Sequence, residues 1–212
     1  MNVVLLGKPG CGKGTQAEMI IEPLGLTHLS TGNIFREHLA QGTELGNRIR
    51  SIMDDGELVD DTTTCQVVAD FLGQHQGQYI LFDGFPRTVP QADWLDSEDG
   101  IPLDLIILMD LPDEEVIRRL TSRRQCRQCG KIYNVLFFPP QKEGVCDVCG
   151  GEVYQRDDDS EEVARERLEE FYEETAPLID YYRNQGRLTP VDASGSREET
   201  NAKIVSLLEE IK

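Results

Sequence analysis

The sequence predicts an α/β protein: one parallel sheet flanked by helices, interrupted by two inserted lobes. Three observations predict it. Apolar runs at 2–6, 79–82 and 105–109, with a weaker one at 188–191, alternate with segments of helical period, which is the βαβ pattern of a sheet covered on both faces. The first run, Val3-Val4-Leu5-Leu6, feeds straight into Gly7-Lys8-Pro9-Gly10-Cys11-Gly12-Lys13-Gly14-Thr15, and a helical stretch follows. Strand, glycine loop and helix in that order make a phosphate cradle: backbone N–H groups converge on one anion, the helix N-terminus adds its dipole, and Lys13 adds a full charge. Third, four cysteines in two tight pairs break the alternation late in the chain.

Within the loop, Gly14 separates Lys13 from Thr15, whereas the usual pattern places Ser or Thr directly after the lysine to hold Mg²⁺. A second metal ligand is therefore expected from a carboxylate that ends an apolar strand, and both Asp83 and Asp110 qualify. Spacing does not choose between them. Residues 30–59 hold several short helical patterns without a long strand, and 122–159 hold turns, short strands and cysteines. Both segments are read as insertions into one domain spanning 1–212, because this length supports a single core. A long helix is expected from about Ser160 to Asn184, N-capped by Ser160, with an apolar stripe through Val163, Leu168, Phe171, Tyr172, Leu178 and Tyr182. Pro177 should kink it. A last helix, about Ser196 to Glu210, closes the chain.

Cys126-x2-Cys129 and Cys146-x2-Cys149, each pair followed by a glycine (Gly130, Gly150), have the spacing of a zinc ribbon. Each pair bends its chain so that two sulfurs point at one ion, and four thiolates leave no open position. Such a Zn²⁺ site is structural and folds a lobe too small for its own core. Cys11 and Cys65 lack partners; Cys65 is assigned to the core and Cys11 to the loop as a small residue.

The net charge of −18 disfavours nucleic acid and anionic membranes as partners, since both require a basic face. Arg outnumbers Lys by 15 to 6, and guanidinium is the group whose fork matches phosphate oxygens. Arg119 and Arg123 fall on one face of a helix starting near Pro112, and Arg167 lies beside the buried stripe of its own helix. His28, His38 and His75 share no ligand or triad spacing and are read as structural or surface residues. The opening apolar run meets glycine within four residues, far short of a signal or membrane segment, so a cytoplasmic protein is expected.

Asp83-Gly84-Phe85-Pro86-Arg87-Thr88, together with the loop at 7–16 and Ser30-Thr31-Gly32-Asn33, closely resembles the adenylate kinase family. Further matches follow in order through Gly56-Glu57-Leu58-Val59, Pro90-Gln91-Ala92, Arg119-x3-Arg123-Arg124, Arg156-x-Asp158-Asp159, Arg165-x-Arg167-Leu168 and Thr175-Ala176-Pro177. The cysteine quartet falls where the lid of the bacterial long-lid, zinc-binding type stands. The resemblance implies a P-loop nucleoside monophosphate kinase fold, with 30–59 as the lobe binding the acceptor and 122–159 as a zinc-bearing lid. It implies reversible phosphoryl transfer from MgATP to AMP, giving two ADP, by a monomer that binds neither nucleic acid nor membrane. Gly10, Cys11, Gly12, Lys13, Gly14 and Thr15 would then hold the donor phosphates, Arg119 and Arg123 would meet ATP, and Ile132, Tyr133 and Gly195 would line its base and ribose. Thr31, Arg36, Glu57, Leu58, Val59, Gly84, Phe85, Pro86, Arg87 and Gln91 would meet AMP. Arg156 and Arg167 would close on the phosphates, Asp158 and Asp159 would serve lid closure, and Asp83 would stand near Mg²⁺. Lys13, Asp83, Arg87, Arg123, Arg156 and Arg167 would form the catalytic set. Asn33 replaces the family's frequent Asp, and Glu57 a common Lys. The rival readings are a kinase of UMP, CMP or GMP, and a zinc-ribbon adaptor that binds nucleotide without turnover.

Overall fold

The computed structural model describes residues 1–97 and 101–211. Its first half runs β1 (Val3–Gly7), α1 (Lys13–Leu24), β2 (Thr27–Ser30), α2 (Thr31–Gln41), α3 (Glu44–Asp54), α4 (Asp61–Gln74), β3 (Ile80–Asp83), α5 (Val89–Ser97), β4 (Leu105–Asp110) and α6 (Asp113–Thr121). Then come β5 (Arg123–Cys126), β6 (Ile132–Asn134), β7 (Val153–Tyr154), α7 (Glu161–Glu170), α8 (Ala176–Asn184), β8 (Leu188–Asp192) and α9 (Arg197–Glu209). Five strands form one parallel sheet in the order β2-β3-β1-β4-β8. Among the described residues no helix is long and apolar enough to cross a membrane.

β1 lies at the centre and is buried throughout, because alternate side chains point to opposite faces and both faces are covered. Val3 and Leu5 join Ile20, Val116, Leu120, Ile204 and Leu208 on one side. Val4 and Leu6 join Phe82, Phe85, Leu178 and Tyr182 on the other. The neighbours of β1 are β3 and β4, so strand order reverses there. In an open parallel sheet the crevice beyond the carboxyl ends at such a reversal is where ligands bind, and the glycine loop leaves β1 at that point. Pro190, which cannot donate to a ladder, is accommodated because β8 is an edge strand.

Strand β2 has no counterpart in the sequence reading, since its four residues Thr27-His28-Leu29-Ser30 contain a single aliphatic side chain. Parallel pairing with β3 holds it in place. β3 begins one residue later than its apolar run and so includes Asp83, which pairs across from Leu5. The expected long helix is present in two parts, interrupted just ahead of Pro177, and Tyr172, expected in its apolar stripe, is exposed. The irregularity is a π-helical turn at Phe171–Thr175, ahead of the proline, which itself sits in the first turn of α8. Proline offers no N–H to the carbonyl four residues earlier and clashes with it, so the wider turn falls on its N-terminal side. Ser196 and Glu199 form a reciprocal capping box at the start of α9.

Within 30–59, α2 and α3 pack around Phe35, Ile49 and Val59. Their approach is close: a Cβ on Gly46 would lie 2.2 Å from the His38 carbonyl oxygen. Within 122–159 a small antiparallel sheet, β6-β5-β7, stands beside a core of only Cys126, Tyr133 and Cys146.

Because Leu5 is fully buried on the central strand, Leu5→Ala should lower unfolding free energy by about 3 kcal/mol, the cost of lost transfer energy plus a cavity. Urea denaturation monitored by circular dichroism measures it.

Candidate functional site

The loop after β1 is shaped by contacts that only glycine allows. A Cβ on Gly7 (φ 142°) would lie 2.5 Å from the Met109 carbonyl oxygen, and one on Gly10 (φ 76°) would lie 2.7 Å from Leu120 Cγ. The loop therefore presses against β4 and α6. Gly12, the N-cap of α1, has no side chain to satisfy the first N–H groups of that helix, which leaves them for an anion. Lys13 Nζ donates to the carbonyls of Gly7 (2.7 Å) and Lys8 (3.0 Å), folding its charge over the loop. Lys8 anchors the loop from outside, donating to Leu111 O (2.9 Å) and Asp113 Oδ1 (2.6 Å).

Asp83 ends β3 in the wall of the same cleft, close enough to the helix start that a Cβ on Gly14 would lie 3.6 Å from its Oδ2. Burial pushes its carboxyl up, but the hydrogen bond from His28 (Nε2 to Oδ2, 3.3 Å) and the charges of Lys13, His28 and Arg87 outweigh it. The net result is a carboxylate held below its usual range. Asp110, the other candidate, is exposed and lies outside the lining of the cleft.

The cleft has a volume of about 950 Å³, and Arg36, Arg87, Arg119, Arg123, Arg156 and Arg167 all reach it. They are held in different ways. Arg123 makes a bidentate pair with the fully buried Asp159, Nε to Oδ2 at 2.8 Å and Nη2 on Oδ1. Arg167 pairs with Asp158 at 2.8 Å. Arg87 Nε instead donates to Gly84 O (2.9 Å), Arg36 Nη2 to Asn33 Oδ1 (2.7 Å), and Arg156 Nε to Gln125 Oε1 (2.6 Å). Electrostatics follow these partners. Burial opposes charge on Arg123, but Asp159 and Asp158 hold its pKa above the ordinary value. Burial and repulsion from Arg167 lower Arg87; burial, with repulsion from Arg123 and Arg36, pulls Arg156 down to about 8. Guanidinium groups crowded without carboxylates seek an anion from elsewhere. Arg119 spans the mouth, from Glu115 (3.2 Å) to the carbonyls of Cys11 and Gly195 (both 3.4 Å).

Of the other residues expected near the donor, Gly10 to Thr15, Ile132, Tyr133 and Gly195 line this cleft. A smaller hollow of about 70 Å³ adjoins it, lined by Thr31, Glu57, Leu58, Val59, Gln91 and Asp158 together with Arg36, Gly84, Arg87 and Arg167. Thr31 Oγ1 donates to Gly84 O (2.8 Å), and Gln91 accepts from Arg87 N (2.8 Å) while donating to Asp61 (2.7 Å). Pro86 lines the larger cleft. Phe85 lines neither: it is fully buried, edge-on to Trp94 beneath the site, so its expected ligand contact is limited to backbone. Asp159 is likewise under the cleft, pairing Arg123 from behind.

His28, Phe137, Phe138 and Gln125 are among the lining residues that the sequence did not single out. His28 was set aside for want of a local partner, yet it meets Asp83 across the sheet. Phe137 and Phe138 stand at the mouth with guanidinium carbons over their rings, Arg118 at 5.0 Å and Arg197 at 5.1 Å respectively. Adjacent aromatics in a lobe with almost no core were the available signal. Gln125, on β5, carried none.

The four cysteine sulfurs lie within 4.8 Å of one another, with Cys126–Cys149 at 3.4 Å and Cys129–Cys146 at 3.5 Å. Although burial opposes ionisation, the Tyr133 hydroxyl (3.3 Å) and backbone N–H groups of Cys149 and Val148 bring the Cys146 thiol down to about 6. Despite burial, backbone N–H groups lower Cys126 as well, whereas Cys129 and Cys149, despite hydrogen bonds from the backbone of Lys131 and Gly151, are raised by burial and by neighbouring thiols. Four sulfurs this close suit a metal ion, which takes each as a thiolate.

A glycine loop at the reversal of a parallel sheet, facing a ring of guanidinium groups across an open cleft, defines a nucleotide-binding protein of the P-loop phosphotransfer class. Comparison with known proteins narrows the class. The family model for adenylate kinase matches residues 5–187. An adenylate kinase of Carboxydothermus hydrogenoformans is 48% identical over 99% of this chain and 100% of its own length. One from Streptomyces avermitilis is 46% identical over 98% and 97%, and one from Archaeoglobus fulgidus 45% identical over the whole of both. The chain belongs to the adenylate kinase family.

Burial opposes charge on Asp158, yet Arg167, Arg123, Arg156 and Arg36 hold its pKa below the ordinary carboxylate value. A depressed carboxyl contributes stability that is complete above its unfolded pKa, about 3.9, and is lost as pH falls through the folded value. Asp158→Asn should therefore lose less stability than the parent between pH 5 and pH 2, as chemical denaturation at each pH will register.

Proposed function

We propose that this chain transfers the γ-phosphoryl group of MgATP reversibly to AMP, forming two ADP. The observation that carries the proposal is the convergence of Lys13 and seven arginines on one cleft in a molecule of net charge −18. Such a concentration of cations against the global charge has an obvious counterpart in two polyphosphate tails. Phosphoryl transfer through a loose transition state needs alignment and charge neutralisation more than covalent chemistry. The acceptor phosphate is already anionic, so no general base is required.

In this reading the loop from Gly10 to Thr15 binds the donor phosphates, Lys13 follows the transferred group, and Arg119, Ile132, Tyr133 and Gly195 hold the rest of ATP. Segment 30–59 serves as the acceptor lobe, and the smaller hollow around Thr31, Val59 and Gln91 takes the AMP base. Arg36 and Arg87 bind the AMP phosphate, while Arg123, Arg156 and Arg167 neutralise the charge spread over the transferring group. Asp83 would hold Mg²⁺ beside the phosphates, and that ion would supply further neutralisation of their charge. Segment 122–159 serves as a lid that excludes water, which would otherwise compete as acceptor.

The four-cysteine cluster is proposed to hold one structural Zn²⁺. A tetrahedral site with Zn–S of about 2.3 Å places its sulfurs about 3.8 Å apart, which supports zinc over an unrelated cluster of thiols. Protein purified under reducing conditions should carry one zinc per chain by elemental analysis, and chelation should lower the melting temperature. The net charge of −18 supports a chain that stays monomeric and engages neither nucleic acid nor anionic membrane.

A coupled assay with MgATP and AMP, UMP, CMP or GMP tests the reaction: AMP should give the highest kcat/KM, and faster turnover of another monophosphate would reassign the acceptor. Arg87→Ala should cut kcat/KM by about 10³, the scale set by other arginines that neutralise a transferring phosphoryl group. Its folding stability should stay the same or rise, because removal relieves repulsion with Arg167. A large loss of stability would mark Arg87 as structural.

A further inference from the structure

The arginines of the cleft divide by the kind of acceptor that holds them. Arg123 and Arg167 are paired with carboxylates, Asp159 and Asp158, which position them and also offset much of their charge. Arg156 is different. It is 7% exposed, and among the described residues it has no ion pair within 4.0 Å and one side-chain hydrogen bond, from Nε to Gln125 Oε1 at 2.6 Å. The other end of the same amide donates from Nε2 to the Gly130 carbonyl at 3.0 Å. A guanidinium can only donate and a carbonyl can only accept, so these two neighbours fix which way the amide points. Gly130 follows Cys129 directly and donates its own N–H to Cys126 O at 3.1 Å. The amide thus spans from the first cysteine pair to a cationic group in the wall of the cleft.

Resting on the phosphotransfer reading above, we propose that Gln125 is a positioning residue: its neutral amide, braced on the first cysteine knuckle, aims Arg156 at the transferring phosphoryl group without discharging it. Arg123 and Arg36 repel the buried Arg156 guanidinium, while Asp158 and Asp159 attract it. A carboxylate at position 125 would hold Arg156 equally well but would neutralise it. An apolar side chain would leave it free to turn toward the aspartates. An amide oxygen avoids both outcomes, since it accepts a strong hydrogen bond from a cation and carries no net charge.

A double-mutant cycle tests this on the full, metal-loaded chain. Gln125→Met should lower kcat about tenfold, the scale of one lost hydrogen bond to a charged group, while KM for MgATP and for AMP moves less than about threefold. In an Arg156→Met background the same substitution should have no further effect on kcat. Equal losses in both backgrounds, or an unchanged kcat in Gln125→Met, would overturn the proposal. Gln125→Glu matches the parent in length and keeps its bond to Arg156, so it carries the test if the methionine variant unfolds. It should bind the bisubstrate mimic of two adenosines joined by five phosphates about tenfold more weakly by calorimetry, and equal affinity would refute the role. A parent chain that forms no ADP from ATP and AMP sinks the underlying reaction, whereas an active parent matched by its Gln125 variants sinks only the part assigned to this amide.

Discussion

Desolvation of clustered guanidinium groups, with repulsion among them, is the constraint around which this molecule is organised. Bringing Arg36, Arg87, Arg123, Arg156 and Arg167 to one cleft costs desolvation and mutual repulsion together, and pKa values lowered by burial in four of the five record that cost. The fold tolerates it because each group is tethered. Two tethers are carboxylates, and three are neutral oxygens supplied by Asn33, Gly84 and Gln125. The residual positive potential is what a polyphosphate would relieve, so the unfavourable term in the protein is a favourable one in its complex.

Everything else positions that cluster. The parallel sheet is apolar on both faces and supplies a rigid platform, from whose central strand the glycine loop emerges. Asp83 closes the neighbouring strand and is brought beside Gly14 by the register of β3 on β1. The two segments inserted into this scaffold have little core of their own, Phe35, Ile49 and Val59 in one and Cys126, Tyr133 and Cys146 in the other. The π-helical turn at Phe171–Thr175 adds a locally irregular helix beside the cleft, which Phe171 and Thr175 both line.

The glycine loop, the cysteine pairs and the helix caps were legible because each is made by residues a few positions apart. Three of the five sheet strands were likewise readable from apolar runs, and the edge strand β8 from a weaker one. Strand β2 was not, because with Leu29 as its one aliphatic residue it owes its existence to pairing with β3. The family resemblance supplied the arginines as a set and pointed to Asp158 and Asp159 as partners, but not to the neutral oxygens of Asn33, Gly84 and Gln125. His28 looked idle in sequence and proves to bond Asp83 fifty-five positions away; Phe85 sat in a conspicuous motif and proves to be core.

The sequence by itself determined the phosphate loop, the four-thiol cluster, the alternating α/β order and the surplus of arginine over lysine. These depend on local backbone geometry and on residue chemistry, both of which are complete within a short stretch of chain. Only the tertiary structure decided which oxygen holds which guanidinium; it also sets Asp83, which the family resemblance had already favoured over Asp110, beside the loop. Those outcomes join residues such as Gln125 and Arg156, 31 positions apart, or Arg123 and Asp159, 36 apart. Such contacts form when strands and lobes pack together, and packing is a property of the whole chain.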